Sequence, residues 1–180
     1  MNNDLRLIIN ASKFAAEYHG GQVRKGAVAR PYITHPLEVA RIILEEGGIA
    51  DVEVLAAAIL HDTIEDTGAS REDISENFGD RVCSMVLECT DDKRLDKDDR
   101  KRLQIVNAPG KTAGAAVIKL ADKIANVRDI TFYPPNWTAE RKSEYIQWAT
   151  QVVAALPSGN EKLRTVFAKA VSEFQIKANL

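Results

Sequence analysis

The chain has 180 residues, 45% of them apolar and 28% charged, with 24 Lys+Arg against 26 Asp+Glu and a formal net charge of −2. This length and balance suit one domain with a sizeable core over residues 1–180, and they argue against long disorder, nucleic-acid binding and attachment to an anionic membrane. No apolar run is long enough to span a bilayer, and residues 1–6 lack the order of charges and apolar core of a signal peptide, so a cytoplasmic protein is expected, with Cys83 and Cys89 as reduced core thiols.

Leu5, Ile8, Ile9, Ala11, Ala15 and Tyr18 recur at helical spacing and predict a first helix over residues 4–19, ended by Gly20-Gly21. The segment from Gln22 to Tyr32, with Arg24, Lys25, Arg30 and Pro31, reads as a loop. Pro36 suits the first position of a second helix, Pro36 to Glu46, closed by Gly47-Gly48. Asp51 caps a third, Val52 to Leu60, which is apolar almost all round and therefore expected to be buried. Read onward as helix, His61-Asp62-Thr63-Ile64-Glu65-Asp66-Thr67 sets four ionisable residues within one sector of roughly 140°.

Past Gly68, Ser70-Arg71-Glu72-Asp73 resembles a capping box for a short helix to Asn77. Gly79-Asp80 opens another helix over residues 80–90, with Val82, Met85, Val86 and Cys89 inward. The run from Asp91 to Arg102, five acids and six bases, reads as a solvated loop and helix start, and that helix ends at Asn107 before Ala108-Pro109-Gly110. Thr112-Ala113 begins a second strongly apolar helix, Gly114 to Ile130; Pro134-Pro135 breaks the chain and Thr138-Ala139-Glu140 restarts it. Tyr145, Trp148, Ala149, Val152, Val153 and Leu156 form an inner stripe. A last helix carries Leu163, Val166, Phe167, Ala170 and Phe174 inward. With no sustained period-two alternation and no internal repeat, the expected class is all-α.

His61, Asp62, Glu65 and Asp66 follow nine positions, Val52 to Leu60, that are apolar but for Glu53, which is no place for a solvated face. Carboxylates so close repel one another and lose solvation unless positive charge compensates them. His35 lies at the mouth of the second helix, and Asp122 is embedded in the second apolar helix with Asn126 one turn further on. The bland readings are a capping or surface His35, a core His61, and an Asp122 paired with Lys119 or Lys123. Together, His35, His61, Asp62 and Asp122 form a mixed nitrogen and oxygen set that suits Mn²⁺ or Fe²⁺ more than Ca²⁺ and lacks the thiolates of structural zinc. Four protein ligands leave about two octahedral positions for water and substrate, as catalysis requires.

The His…His-Asp…Asp pattern resembles the HD superfamily of metal-dependent phosphohydrolases. More narrowly, Arg24-Lys25, Tyr32-Ile33-Thr34-His35-Pro36, the stretch from His61 to Thr67 and the stretch from Lys119 to Asn126 resemble the hydrolase domain of RelA/SpoT homologues over residues 5–175. The resemblance is narrowest to stand-alone small alarmone hydrolases of the metazoan SpoT homologue type, so the synthetase and regulatory regions of the long members are expected to be lacking. The resemblance implies an HD-domain helical bundle with a buried metal site, holding Mn²⁺ on His35, His61, Asp62 and Asp122. Glu65 and Asp66 would then position and deprotonate the attacking water, and Asn126 would hold substrate near the metal. Arg24 and Lys25 would meet the purine or ribose side; Lys97, Arg141 and Tyr145 would contact the distal phosphates, their bland alternatives being two solvated cations and a core tyrosine. Ala125 stands where many relatives carry a larger residue, so the base pocket is expected to differ. The implied activity is Mn²⁺-dependent removal of the 3′-pyrophosphate of ppGpp and pppGpp to give GDP or GTP. The same site would serve a (p)ppApp hydrolase or an NADPH 2′-phosphatase. The alternative of another class is a catalytically silent nucleotide-sensing module, against which Glu65, Asp66 and Asn126 count.

Overall fold

Two helices with almost no polar face decide the architecture. In the computed structural model, α3 (Val52–Leu60) is buried from Val54 to Leu60, and α8 (Ala113–Phe132) buries residues on every side along its middle. Helices of that kind must be enclosed by others. Accordingly α1 (Asn3–Tyr18), α2 (Thr34–Arg41) and α6 (Asp80–Cys89) pack on α3, while α2, α6, α9 (Ala139–Ala155) and α10 (Glu161–Ala178) pack on α8. The outer α5 (Arg71–Phe78) lies on α6, and α7 (Lys97–Asn107) lies on α9. The structure describes residues 3–26 and 28–178; Met1, Asn2, Ala27, Asn179 and Leu180, which the terminal and loop readings include, lie outside the described residues. Among the described residues there is no strand beyond the isolated bridge between Val23 and Pro31, and no helix is long and apolar enough to cross a membrane.

The caps sit where the polar residues call for them. Asp51 accepts from the Glu53 and Val54 amides at 3.1 and 3.3 Å, Thr112 and Thr138 cap α8 and α9, and Ser70 and Asp73 form a reciprocal capping box. Cys83 and Cys89 are buried free thiols.

Four local expectations are corrected. The second helix begins at Thr34 rather than Pro36, so the proline sits within its first turn, and after Arg41 it widens into a π-turn, Ile42–Glu46. This turn buries both Ile42 and Ile43 and aims Glu46 at Arg128 of α8, which donates two hydrogen bonds of 2.7 and 2.8 Å. In α1, Leu5 and Ile9 are 60% and 57% exposed, and the face turned inward is Leu7, Ile8, Ala11, Phe14 and Ala15. Tyr145 and Trp148 are only half-buried, while Ile146 takes the inner position on α9.

α3 does not run on through Asp66: it stops at Leu60, His61 and Asp62 form a turn, and a short α4 (Thr63–Asp66) follows. Side chains cause the break by claiming backbone acceptors. Thr63 Oγ1 donates to the Leu60 carbonyl and His61 Nδ1 to the Ala58 carbonyl, each at 2.7 Å.

Because Asp51 starts the helix that delivers His61 and Asp62, Asp51→Ala is expected to lower unfolding free energy in urea by about 1 kcal/mol, with Asp51→Asn losing less than half of that because the amide still caps. Equal losses in the two variants would assign the effect to the Arg81 pair at 2.6 Å instead of the cap.

Candidate metal centre

His35 from α2, His61 and Asp62 from the turn after α3, and Asp122 from mid-α8 converge in the interior. Ligand atoms of His35, His61 and Asp62 all lie within 4.8 Å of one another. Asp122 joins them from the facing helix, its Oδ1 being 3.3 Å from His35 Nε2 and 4.0 Å from His61 Nε2. Asp62 Oδ2 is 3.6 Å from His35 Nε2 and 3.2 Å from His61 Nε2.

The donor set fits a divalent cation. His61 Nδ1 donates to the Ala58 carbonyl, which turns the other nitrogen's lone pair toward the carboxylates; Nε2 is buried and aligned with no hydrogen-bond partner. Burial opposes charge on His61, but Asp62 beside it outweighs burial and raises its pKa to about 9. Burial lowers that of His35. Burial also pushes both carboxyls up, yet His61 and His35 hold Asp62, and Lys123 and His35 hold Asp122, far below the usual carboxylate range. The centre thus recruits positive charge, whether a proton on His61 or a metal ion.

The other two acids have different surroundings. Glu65 accepts the Asp91 amide at 2.9 Å, and burial raises its pKa to about 7. Asp66 is gripped on both oxygens, by the Tyr32 hydroxyl at 3.2 Å and by Lys93. The same hydroxyl donates to Asp62 Oδ2 at 2.7 Å, so Tyr32 ties the cluster to Asp66. His19 stacks on Tyr32 with ring centroids 4.7 Å apart, and Gln22 donates to the Asp66 carbonyl at 2.8 Å.

Two cavities of about 640 and 650 Å³ open beside the centre and share Lys25, Trp137 and Tyr145 as a common wall. The first contains Arg24, Tyr32, Asp66, Asn126 and Asp129. The second contains Lys97, Arg100, Lys101, Arg141 and Trp148. Asn126 donates to Asp122 Oδ1 at 2.5 Å and accepts from Arg24 at 2.7 Å. Arg24 is further held by Asp129 Oδ2 at 2.8 Å, and Asp129 Oδ1 takes Arg30 at 2.6 Å. Arg24 therefore buttresses Asn126 rather than standing free. Ala125, about 100° around α8 from Asn126, lines a separate cavity with Thr34 and Arg128 and is not part of the wall of the first.

Tyr32, Lys93, Asp129, Trp137 and Trp148 were not singled out in the sequence as site residues. Asp129 carried a readable signal, lying two turns beyond Asp122 on the same face. Lys93 did not, hidden as one base among six in its run.

The chain matches the HD domain family over residues 11–156. It is 49% identical over 164 residues to guanosine-3′,5′-bis(diphosphate) 3′-pyrophosphohydrolase MESH1 of Xenopus tropicalis, which spans 91% of this chain and 92% of that protein. Over the same shares it is 45% identical to the Homo sapiens protein of that name. Among solved structures, a metazoan orthologue of SpoT described as hydrolysing ppGpp superimposes with a TM-score of 0.88 at 43% identity, over 91% of this chain and 93% of that one.

Glu65 gives the site a measurable pH signature. Its folded pKa of about 7 lies above the ordinary 4.5, so the folded state holds the proton more tightly and stability falls as pH rises between those values. In chelator-treated protein, Glu65→Gln should therefore be more stable than wild type at pH 8 by about 2–3 kcal/mol, with the gain shrinking on acidification and gone below about pH 4.5. A variant no more stable at pH 8 would show that Glu65 titrates as an ordinary carboxyl.

Proposed function

This chain belongs to the HD-domain family, alongside the metazoan SpoT orthologues, and on that footing we propose that it is a Mn²⁺-dependent hydrolase that removes the 3′-pyrophosphate of ppGpp and pppGpp. The observation that carries this reading is the union of a His35, His61, Asp62 and Asp122 cluster with a cavity holding Asp66 and Asn126 and a cationic cavity beyond the shared wall. A divalent ion on those four residues would supply Lewis acidity, making a water more acidic and drawing charge from the scissile phosphoryl oxygens. Glu65, whose carboxyl pKa burial raises above the ordinary range, is the group assigned to take the water's proton. Asp66, fixed by Tyr32 and Lys93, orients that water. Asn126, clamped between Arg24 and Asp122, holds the substrate against the cluster. Arg24 and Lys25 serve the nucleoside side, Arg24 through its hold on Asn126. Lys97 and Arg141 neutralise the 5′-diphosphate, and Tyr145, which burial keeps as the phenol, donates to it. Glu65, Asp66 and Asn126 count against a purely sensing role, which needs no water-activating carboxylate pair.

Side-by-side turnover of the Mn²⁺-loaded protein on ppGpp, ppApp and NADPH tests the substrate, with fastest release from ppGpp expected. Faster phosphate release from NADPH would reassign the activity to the 2′-phosphatase, and faster ppApp cleavage to the adenosine alarmones.

Asp122→Ala should lose most bound Mn²⁺, whereas Glu65→Gln should keep it and lower kcat by about 10²-fold or more, the scale of a lost general base. Wild-type turnover in Glu65→Gln would remove that carboxylate from the chemistry.

Lys97→Ala and Arg141→Ala should each weaken substrate binding by about 1–3 kcal/mol, mainly in KM, and more for ppGpp than for an analogue without the 5′-diphosphate. Equal losses on both substrates would show that these cations do not read the 5′ end.

A further inference from the structure

Asp122 divides its two oxygens between different tasks. Oδ1 accepts from Asn126 and faces the two imidazoles, whereas Oδ2 faces Lys123 Nζ at 3.1 Å. Neighbours i and i+1 on a helix point about 100° apart and do not ordinarily pair, so the lysine stem must curl back to make this contact. Lys123 is 3% exposed, which denies its ammonium the hydration it would otherwise have. What replaces that hydration on its far side is the face of Trp148, whose ring centroid lies 4.3 Å from Nζ. The indole is fixed in turn: Nε1 donates to the Lys101 carbonyl at 3.0 Å, and Tyr145 packs edge-on at 5.3 Å. Trp148 and Lys101 both line the second cavity.

We infer that Lys123 is a positioning residue that occupies Asp122 Oδ2, leaves only Oδ1 to the metal cluster, and is held in place by Trp148 from the wall of the second cavity. The inference rests on the reading that the cluster binds a divalent ion. An ammonium at this point acts against metal affinity, since it competes for the carboxylate and repels a second cation. In exchange it prevents Asp122 from wrapping the ion with both oxygens, which keeps a coordination position for substrate and water. Lys123 therefore trades binding strength for an open site, and the wall of the phosphate cavity belongs to the support of the metal centre.

The test measures Mn²⁺ alone, by equilibrium dialysis and by the EPR spectrum of the bound ion, together with steady-state kinetics. Lys123→Met should bind Mn²⁺ about tenfold more tightly with an altered spectrum, while kcat falls by about tenfold or more and KM changes little, the scale on which outer-shell partners act. Lys123→Arg should restore the wild-type spectrum. Trp148→Leu should move affinity, spectrum and kcat in the same directions as Lys123→Met but less far, and Trp148→Phe, which keeps a ring face, should not. This pair carries the test should Lys123→Met fail to fold. An unchanged spectrum and affinity in Lys123→Met, or weaker binding that merely tracks a lower melting temperature, would overturn the role of Lys123 while leaving the metal site intact. A wild-type protein that takes up no Mn²⁺ would overturn the metal reading and this inference with it.

Discussion

Two carboxylates and two imidazoles occupy one point inside a helical protein, and burying the charge of Asp62 and Asp122 is the demand that the surrounding chain has to meet. Moving such ions out of water costs several kcal/mol each unless close partners compensate. The partners come from every side: His35 and His61 within the cluster, the Tyr32 hydroxyl on Asp62, and Asn126 and Lys123 on Asp122. The cluster is drawn from α2, the end of α3 and the middle of α8, which pack directly on one another through apolar side chains. Apolar packing therefore sets the distances, and the charges are arranged within what it allows.

Around this centre the excess of acid gives way with distance to an excess of base, the second cavity setting Lys25, Lys97, Arg100, Lys101 and Arg141 against Asp91, Glu140 and Glu144. The acids are innermost; Arg24, Lys93 and Lys123 surround them and are already engaged; the cations of the second cavity lie further out. An anionic substrate would meet the outer cations first and reach the cluster past Trp137 and Tyr145. Arg24 donates from Nε and Nη2 to Asp129 and Asn126, and Asp129 is shared with Arg30, so one carboxylate organises the loop before α2 against the end of α8.

Much of this was legible from residue chemistry, and the reason is contradiction. An aspartate at position 122 within an apolar helix, and four ionisable residues directly after the apolar run Val54 to Leu60, conflict with burial unless they form a site. Helix ends were legible because Asp51, Ser70, Thr112 and Thr138 have short side chains that reach free amides. The break at His61-Asp62 was not, because nothing in helical spacing announces that His61 will claim the Ala58 carbonyl and Thr63 the Leu60 carbonyl. The inward face of α1 was ambiguous, since apolar residues lie on more than one side of it. Pairings such as Arg24 with Asp129, 105 residues apart, exist only once the fold has closed. Lys123 illustrates the same limit: its proximity to Asp122 is visible in the sequence, but the indole that makes the pair possible lies on another helix.

The π-turn between Ile42 and Glu46 has a consequence for chain length. Its wider winding carries one more residue than a regular α-helical turn over the same path, and that residue lets Ile42 and Ile43 face the core while Glu46 reaches Arg128. Deleting a single residue here would yield a better-formed helix and a worse protein, because every later side chain would rotate by about 100° and Glu46 would turn away from α8. The corner that follows offers no slack: a Cβ on Gly47 would sit 2.6 Å from the Ile43 carbonyl, and Gly48 needs its positive φ of 68°. The segment after the helix that carries His35 is thus intolerant of insertions and deletions, although it lies outside both cavities beside the centre.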